Sequence, residues 1–425
     1  MNKIFIPTRY KMVAGTFILA MIVLFDRILI SVAKDPIATD LSLSDKQMGW
    51  VLSIFALGYA LFQTPSGYLA DKLGARKVLT AVVSLWSIFT ALTGAVYHFI
   101  SLLFVRFIFG VGEAGAFPSM ARAIFSWIPL RERGIVNGIN FSGGRIGAAI
   151  ALPVVAWLIE ITSWRMSFVI LGLIGIVWAI IWYKWFRDLP VDHPSISNEE
   201  IEYIQKHIQA PTEKTNQKLS LAKMFRSKSM WLLMGQYFSS NFTFFFCLTW
   251  LFPHIRTKYN LDALEAGFYS SAPLLFGALG NWFSGWMVDF IYRKGRWTLS
   301  RKMPAIIGFI LASAGIIASA YMTEVAWAVV FISIAVFGAD MTLSPSWSAC
   351  VDVGKSHSGT VSGTMNMAGN LGSFVTALAF PYMLAITGSD IPFFYLAAAL
   401  NFLAIPIWLA LKPDQEMKLT KSIDS

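Results

Sequence analysis

The sequence predicts an all-α integral membrane protein of about twelve spanning helices in two six-helix halves. Three observations predict it. Of 425 residues, 56% are hydrophobic and only 14% charged, against roughly 25% charged in soluble domains; mean hydropathy is +0.60. Apolar runs of spanning length recur along the whole chain and fall into two sets around one long polar stretch. The basic residues gather in every second loop, so the net charge of +10 reads as membrane topology and not as a nucleic-acid footprint.

The opening MNKIFIPTRYKMV is short and basic. The apolar run behind it is long enough to span and lacks a small-residue cleavage site, so it reads as a first spanning helix. Runs at roughly 12–34, 47–70, 78–98, 101–126, 134–160 and 165–186 make the first half, about 1–186. Runs at roughly 230–255, 264–291, 303–322, 325–352, 358–386 and 391–411 make the second, about 230–411, before a tail at 412–425. Lys3, Arg9, Lys11, Lys72, Arg76, Lys77, Arg131, Arg133, Arg293, Lys294, Arg296, Arg301 and Lys302 mark one side. Asp35, Asp40, Asp45, Glu324 and Asp390 mark the other. The excess of Lys and Arg places both termini in the cytoplasm.

The polar stretch at about 187–229 joins the halves. Ser197 followed by Glu200 is a capping-box spacing ahead of EEIEYIQKHI, which predicts a short surface helix. Residues 210–218 read as a flexible linker. Two membrane halves on one long loop is a transporter plan; a merely structural connection is the alternative.

Charges inside the spans carry the functional argument. Leu102–Met120 is long and apolar, yet holds Arg106 and Glu113 on one helical face. An ionisable group at bilayer depth costs about 2.5–3.5 kcal/mol on insertion scales, so such a face turns toward a partner or a wetted cavity. A structural ion pair is the simpler alternative. Asp26 and Arg27 lie mid-span in the first run. Arg27 offers a permanently charged fork of donors to a carboxylate, or pairs with Asp26 or Glu113 for structure alone. Burial favours the protonated form of a carboxyl group and a nearby guanidinium the ionised one, so Asp26 and Glu113 are the proton candidates.

Tyr59 provides an aromatic face with a hydroxyl, and Gln63 lies one turn further on that face. Arg145, within SGGRIGAAIALP, is a third guanidinium in an apolar span; it meets a second carboxylate or snorkels toward the cytoplasm. Arg122 fits a contact on the cytoplasmic side. In the second half the candidates are Asn241, Ser344, Trp347, Asn366 and Asn370, the last two sharing a helix face. Amides and an indole suit hydroxyls and a carbon skeleton, and equally suit interhelical hydrogen bonds. Asp340 is an acid without a local base.

Cys247 and Cys350 are far apart and the five histidines form no metal-spaced cluster, so neither a disulfide framework, a metal site nor a cofactor is expected. GxSxG, HExxH and a P-loop are absent, which argues against an integral membrane enzyme, the main alternative class.

Between the second and third runs stands Gly67-Tyr68-Leu69-Ala70-Asp71-Lys72-Leu73-Gly74-Ala75-Arg76-Lys77. It resembles the loop signature of the major facilitator superfamily at every defined position. Asp71 can cap a helix end or pair with a base across the halves, Gly74 permits a tight turn, and a reversible contact there would hold one conformation. Asp71 and Arg76 are the gating candidates. A degenerate echo follows at Gly285-Trp286-Met287-Val288-Asp289, then Arg293 and Lys294.

Within the superfamily the chain is similar to the anion:cation symporter family. Phe25-Asp26-Arg27, Gly58–Pro65, Arg106–Pro118 and GTMNMAGNLG at Gly363–Gly372 carry the likeness. The resemblance implies the major facilitator fold and import of a small organic anion by proton symport with alternating access. It gives Asp26 and Glu113 the proton, and Arg106 a role in binding the anion or linking it to the proton site. One binding arginine with amides in the second half favours a sugar acid, a hexuronate or aldonate; a third arginine favours a dicarboxylate or aromatic acid, and sodium coupling or exchange is the alternative to protons. Substrate candidates are therefore Arg27, Tyr59, Arg106, Arg145, Asn241, Trp347 and Asn370. The chain departs from relatives at Phe25, often Tyr, and at Arg145, often neutral. A monomer in a bacterial-type inner membrane is expected, with lipid, the anion and protons as its partners.

Overall fold

The computed structural model describes residues 7–208, 221–261 and 263–417. The linker expected at 210–218 lies outside the described residues. Among the described residues, the eighteen α-helices are α1 (Thr8–Val32), α2 (Lys34–Asp40), α3 (Asp45–Leu73), α4 (Ala75–Thr93), α5 (Phe99–Glu113), α6 (Ala116–Trp127), α7 (Arg133–Ile161), α8 (Trp164–Trp185) and α9 (Asn198–His207). They continue with α10 (Leu221–Arg226), α11 (Lys228–Thr249), α12 (Leu251–Lys258), α13 (Ala263–Arg293), α14 (Trp297–Ala320), α15 (Val325–Met341), α16 (Leu343–Gly354), α17 (Ser358–Thr387) and α18 (Ile391–Ala410). With α9 and α10 set aside and four helix pairs read as interrupted spans, this is a twelve-span protein.

The four interruptions differ from the unbroken spans the hydropathy pattern predicts. They separate α1 from α2, α5 from α6, α11 from α12 and α15 from α16. In each case the residue capping the second helix stands three positions before a proline: Ala33 before Pro36, Gly115 before Pro118, Trp250 before Pro253, Thr342 before Pro345. Proline has no N–H to give to the carbonyl four residues back, which belongs to the last residue of the first helix or, at Ala114, to the cap just after it. Pro65, Pro273, Pro304 and Pro406 stand inside helices that continue, so proline alone does not set the break. The interrupted spans are the first and fourth of each set, and Glu113 and Asp340 lie beside two of the breaks. Discontinuous spans of this kind line ion and substrate sites in transporters.

Seven helical stretches of the described residues are long and apolar enough to cross a membrane by length and composition alone, Thr8–Val32, Trp164–Trp185 and Ile391–Ala410 among them. Others are long but more polar, as α11 is with Gln236, Ser239, Ser240 and Asn241.

The helices form two compact units. One comprises Met1–Leu130, Gly143–Ala210 and Ser356–Gly363; the other comprises Arg131–Ser142, Pro211–Lys355 and Thr364–Ser425. In the first unit Leu29, Ile30, Val51, Val105, Val155 and Phe168 share a core. Ser44 and Gln47 form a capping box at the start of α3. Gly74 ends that helix at φ +88°, and a Cβ there would lie 2.4 Å from the Asp188 carboxylate. Asp188 needs that space because its Oδ1 accepts from the Arg76 N–H at the start of α4, at 2.9 Å.

The capping box expected at Ser197 is only half made. The Ser197 hydroxyl accepts from Glu200 N–H at 3.2 Å. The Glu200 carboxylate turns instead to the start of α1, accepting from Thr8 N–H at 2.8 Å, Arg9 N–H at 3.0 Å and the Arg9 guanidinium at 3.2 Å. A carboxylate serves both helix starts equally well in kind, and α1 adds a full positive charge. The polar stretch is thereby fastened to the first helix.

In the second unit an aromatic core collects Phe242, Phe246, Phe380, Phe393 and Phe394. A fully buried charge group lies elsewhere in it: Arg133 Nη1 donates to Asp352 Oδ1 at 2.8 Å, and Arg301 Nε and Trp297 Nε1 donate to Asp352 Oδ2 at 2.9 and 3.1 Å.

Candidate functional site

The first unit brings Asp26, Arg27, Tyr59, Arg106 and Glu113 into one cluster. Arg27 Nε on α1 donates to Glu113 Oε1, at the end of α5, at 2.5 Å. The Arg27 guanidinium lies over the Tyr59 ring at 4.6 Å and the Phe55 ring at 5.3 Å. Arg106 is stacked on Phe109 at 4.4 Å and reaches the same Phe55 ring at 5.6 Å. Two guanidiniums thus share an aromatic shelf, whose negative faces offset their mutual repulsion. Asp26 Oδ2 accepts from the indole Nε1 of Trp86 on α4 at 3.1 Å.

Burial gives this cluster its chemical meaning. Asp26, Arg106 and Glu113 are each 1–2% exposed, while the Arg27 side chain keeps 27%. Asp26 Oδ1, Arg27 Nη2, Arg106 Nε and Glu113 Oε2 are buried without a hydrogen-bond partner. Each such atom costs about 1–3 kcal/mol when left unsatisfied. Four in one cluster make an arrangement that gains on meeting a proton or an anion.

Glycines set the positions. A Cβ at Gly58 would lie 2.4 Å from Phe107 O, and one at Gly110 would lie 2.3 Å from Phe55 O. Helices α3 and α5 therefore cross backbone to backbone, with Tyr59 and Arg106 beside the crossing. Gly112 meets the Trp86 backbone in the same way, at 2.9 Å, one residue before Glu113. Gly143 and Gly147 of α7 lie against Phe17 and Met21 of α1. Arg145, between them, is partly buried and engaged.

In the second unit Trp347 Nε1 donates to the Tyr237 hydroxyl at 2.9 Å, and its ring packs on Phe141 at 5.4 Å. Asn241 Nδ2 donates to Tyr237 O at 2.9 Å. Gly369 makes the fit possible: a Cβ there would lie 2.5 Å from the Tyr237 ring and 2.7 Å from Asn241 Nδ2. Trp347, Asn241 and α17 thus meet at Tyr237. Asn370 turns back to its own helix, donating to Asn366 O at 2.8 Å. Asp340 is buried and accepts from Asn281 Nδ2 at 3.2 Å.

Asp71 and Arg76 occupy a different region from the charged cluster. Asp71 receives Gly359 N–H at 2.9 Å, Thr360 N–H at 2.7 Å and the Thr360 hydroxyl at 2.6 Å, at the start of α17. Arg122 Nε stands 3.9 Å away. The echo repeats the arrangement in the second unit, where Asp289 accepts from Gly134 and Ile135 N–H of α7 at 2.9 and 2.8 Å. In both, a carboxylate sits on the positive end of a helix. Gly67 faces Gly359, and Gly285 faces Gly134, each close enough to exclude a Cβ. Arg76 Nε donates to Tyr183 O at 2.9 Å and its guanidinium lies 4.5 Å from the Tyr183 ring, which ties α4 to α8.

Sequence reasoning missed Phe55, Trp86 and Tyr237. Tyr237 carried a signal, since it lies one helical turn before Asn241. Trp86 sits in a run with no charge, and its only signal was that a buried indole N–H needs an acceptor.

The superfamily description "Major Facilitator Superfamily" matches residues 16–377. The chain belongs to the major facilitator superfamily. It is an integral membrane transporter and not an enzyme. It is 30% identical to the "Probable sulfoacetate transporter SauU" of Cupriavidus necator over 97% of both chains. It is 33% identical to the "Probable galactarate/D-glucarate transporter GarP" of Escherichia coli over 89% of both. To the "D-galactonate transporter" of Escherichia coli it is 31% identical, over 88% of this chain and 89% of that one. The fold matches the proton:xylose symporter XylE bound to 6-bromo-6-deoxy-D-glucose, at a TM-score of 0.78, 14% identity and 97% and 98% coverage.

Proposed function

We propose that this transporter imports a small organic anion of the sugar-acid class, an aldonate or hexuronate, by proton symport with alternating access. The observation that carries the reading is the Arg27–Glu113 ion pair within a cluster that also holds Asp26 and Arg106. An incoming carboxylate competes with Glu113 for Arg27. Glu113 then loses its counterion and takes a proton, so anion and proton load together. Tyr59 and Arg106 complete the anion's contacts in the first unit. Arg145 is a further contact.

Asn241, Trp347 and Asn370 supply amides and an indole for hydroxyls and the carbon skeleton. Asp71 on the start of α17 acts as a reversible latch, and Arg76 fixes the helix that follows it. The protein works as a monomer in a bacterial-type inner membrane, with both termini cytoplasmic. The relatives named for sugar acids support this substrate class. The galactarate/D-glucarate relative, at 33% identity, favours a dianionic aldarate as the second reading.

The test is uptake into proteoliposomes of labelled D-galactonate, D-glucuronate, D-glucarate, galactarate and sulfoacetate. An inward proton gradient is imposed or withheld, and sodium is present or absent. Accumulation of an aldonate or hexuronate that collapses with the pH gradient supports the reading. Accumulation driven by sodium alone, or indifference to every acid, overturns it.

A further inference from the structure

Asp26 and Glu113 differ in what holds them, and the difference lies in a residue with no charge. Glu113 is paired with a guanidinium, whereas the hydrogen bond to Asp26 comes from the neutral indole of Trp86. Trp86 is wholly buried on α4. Its backbone is fixed by Gly112 of α5, where an added Cβ would lie 2.9 Å from Trp86 N and 3.1 Å from its Cα. One close helix crossing therefore positions the indole for Asp26 and, one residue along, Glu113 for Arg27. The charged groups around Asp26 are Arg27 beside it on α1 and Arg106 and Glu113 on α5; α4 brings the indole.

We propose that Trp86 is a positioning residue for proton coupling. Its indole N–H, donated to Asp26 Oδ2, favours the ionised over the protonated carboxyl and so helps set the pH at which Asp26 takes up a proton from water. The inference rests on the proton-symport reading, but its test needs no substrate. A hydrogen bond donated to a carboxylate favours the charged form. Losing it makes protonation easier, so the midpoint moves to higher pH. A hydrogen bond to a charged group corresponds to a shift of about one to two pH units.

The experiment is an infrared titration of the purified full-length protein. The protonated-carboxyl band of Asp26 is isolated as the difference between wild type and Asp26→Asn. In Trp86→Phe the midpoint of that band is expected about one unit or more above wild type. An unchanged midpoint in folded Trp86→Phe overturns the proposal.

Where Trp86→Phe is not recovered folded, protein labelled with ¹⁵N in its tryptophans gives the second measurement. One indole N–H resonance should follow pH with the Asp26 midpoint and become pH-invariant in Asp26→Asn. If no indole resonance tracks Asp26, the proposal is overturned. A shifted infrared midpoint without pH-driven uptake would keep the Trp86 assignment and remove the symport reading instead.

Discussion

Under the proposed mechanism, replacing Glu113 by Gln should separate anion binding from proton coupling. In the proposed competition, a carboxylate arriving at wild type at alkaline pH must take Arg27 from Glu113, which holds it at 2.5 Å and is 1% exposed. A hydrogen bond to a charged group contributes about 1.5–3 kcal/mol. Gln keeps the shape and loses the charge, and its carbonyl still accepts one neutral bond from Arg27. The competition is therefore reduced and not abolished, and the lower part of that range applies. At about 1.4 kcal/mol per factor of ten, binding at pH 8 should tighten roughly tenfold. Part of the pH dependence should remain, because Asp26, the other proposed proton site, is untouched.

Transport should respond in the opposite sense. Accumulation driven by a pH gradient is expected to vanish, while counterflow of unlabelled for labelled anion continues. The assay is binding of the labelled acid found in the uptake panel at pH 5.5 and pH 8, followed by both transport modes in proteoliposomes. Uphill uptake at wild-type levels by Glu113→Gln, or binding at pH 8 as weak as wild type, would refute the competition mechanism.

Asp352→Ala leaves Arg133 and Arg301 buried without their shared counterion, at a cost of about 3–5 kcal/mol; thermal unfolding in detergent should show a clear loss, and a melting curve like wild type would contradict it. Gly369→Ala places a methyl group 2.5 Å from the Tyr237 ring, and overpacking of this kind costs about 1–3 kcal/mol; KM should rise severalfold in protein that still inserts, and an unchanged KM would remove Tyr237 and Asn241 from the candidate site. Burial, with Arg187 and Lys11 nearby, holds His193 below the ordinary imidazole range, while its Nδ1 accepts from Ser195 N–H at 3.2 Å. The folded segment thus prefers neutral His193, so its docking is fully stable above about pH 6.5 and weakens as pH falls through the lowered value. Hydrogen exchange across residues 190–207 should accelerate only on the acid side, and His193→Phe should flatten that dependence.

Composition and hydropathy determined the membrane class, the two sets of spans and the residues too costly to bury without a purpose. That followed because lipid tolerates few structures and penalises every charge, so Arg27, Arg106 and Glu113 stand out wherever they fall. The loop from Gly67 to Lys77 disclosed the superfamily by its motif, and Gly74, at φ +88°, answers to local backbone geometry. The partners of those charges were a different matter. Arg27 and Glu113 are 86 residues apart, and Asp71 meets Thr360 across 289. No local pattern encodes such pairs.

Tertiary structure also decided which prolines interrupt a helix. Pro118 marks a break beside Glu113, whereas Pro65 lies in a continuous helix, although both lack the same N–H. Glu200 shows the same choice at a helix start, where local spacing offered Ser197 and folding supplied Arg9 and α1. Short-range sterics and solvation are written in the chain; long-range pairing depends on which helices pack, and glycines such as Gly58, Gly110 and Gly112 decide that only once their opposite backbones arrive.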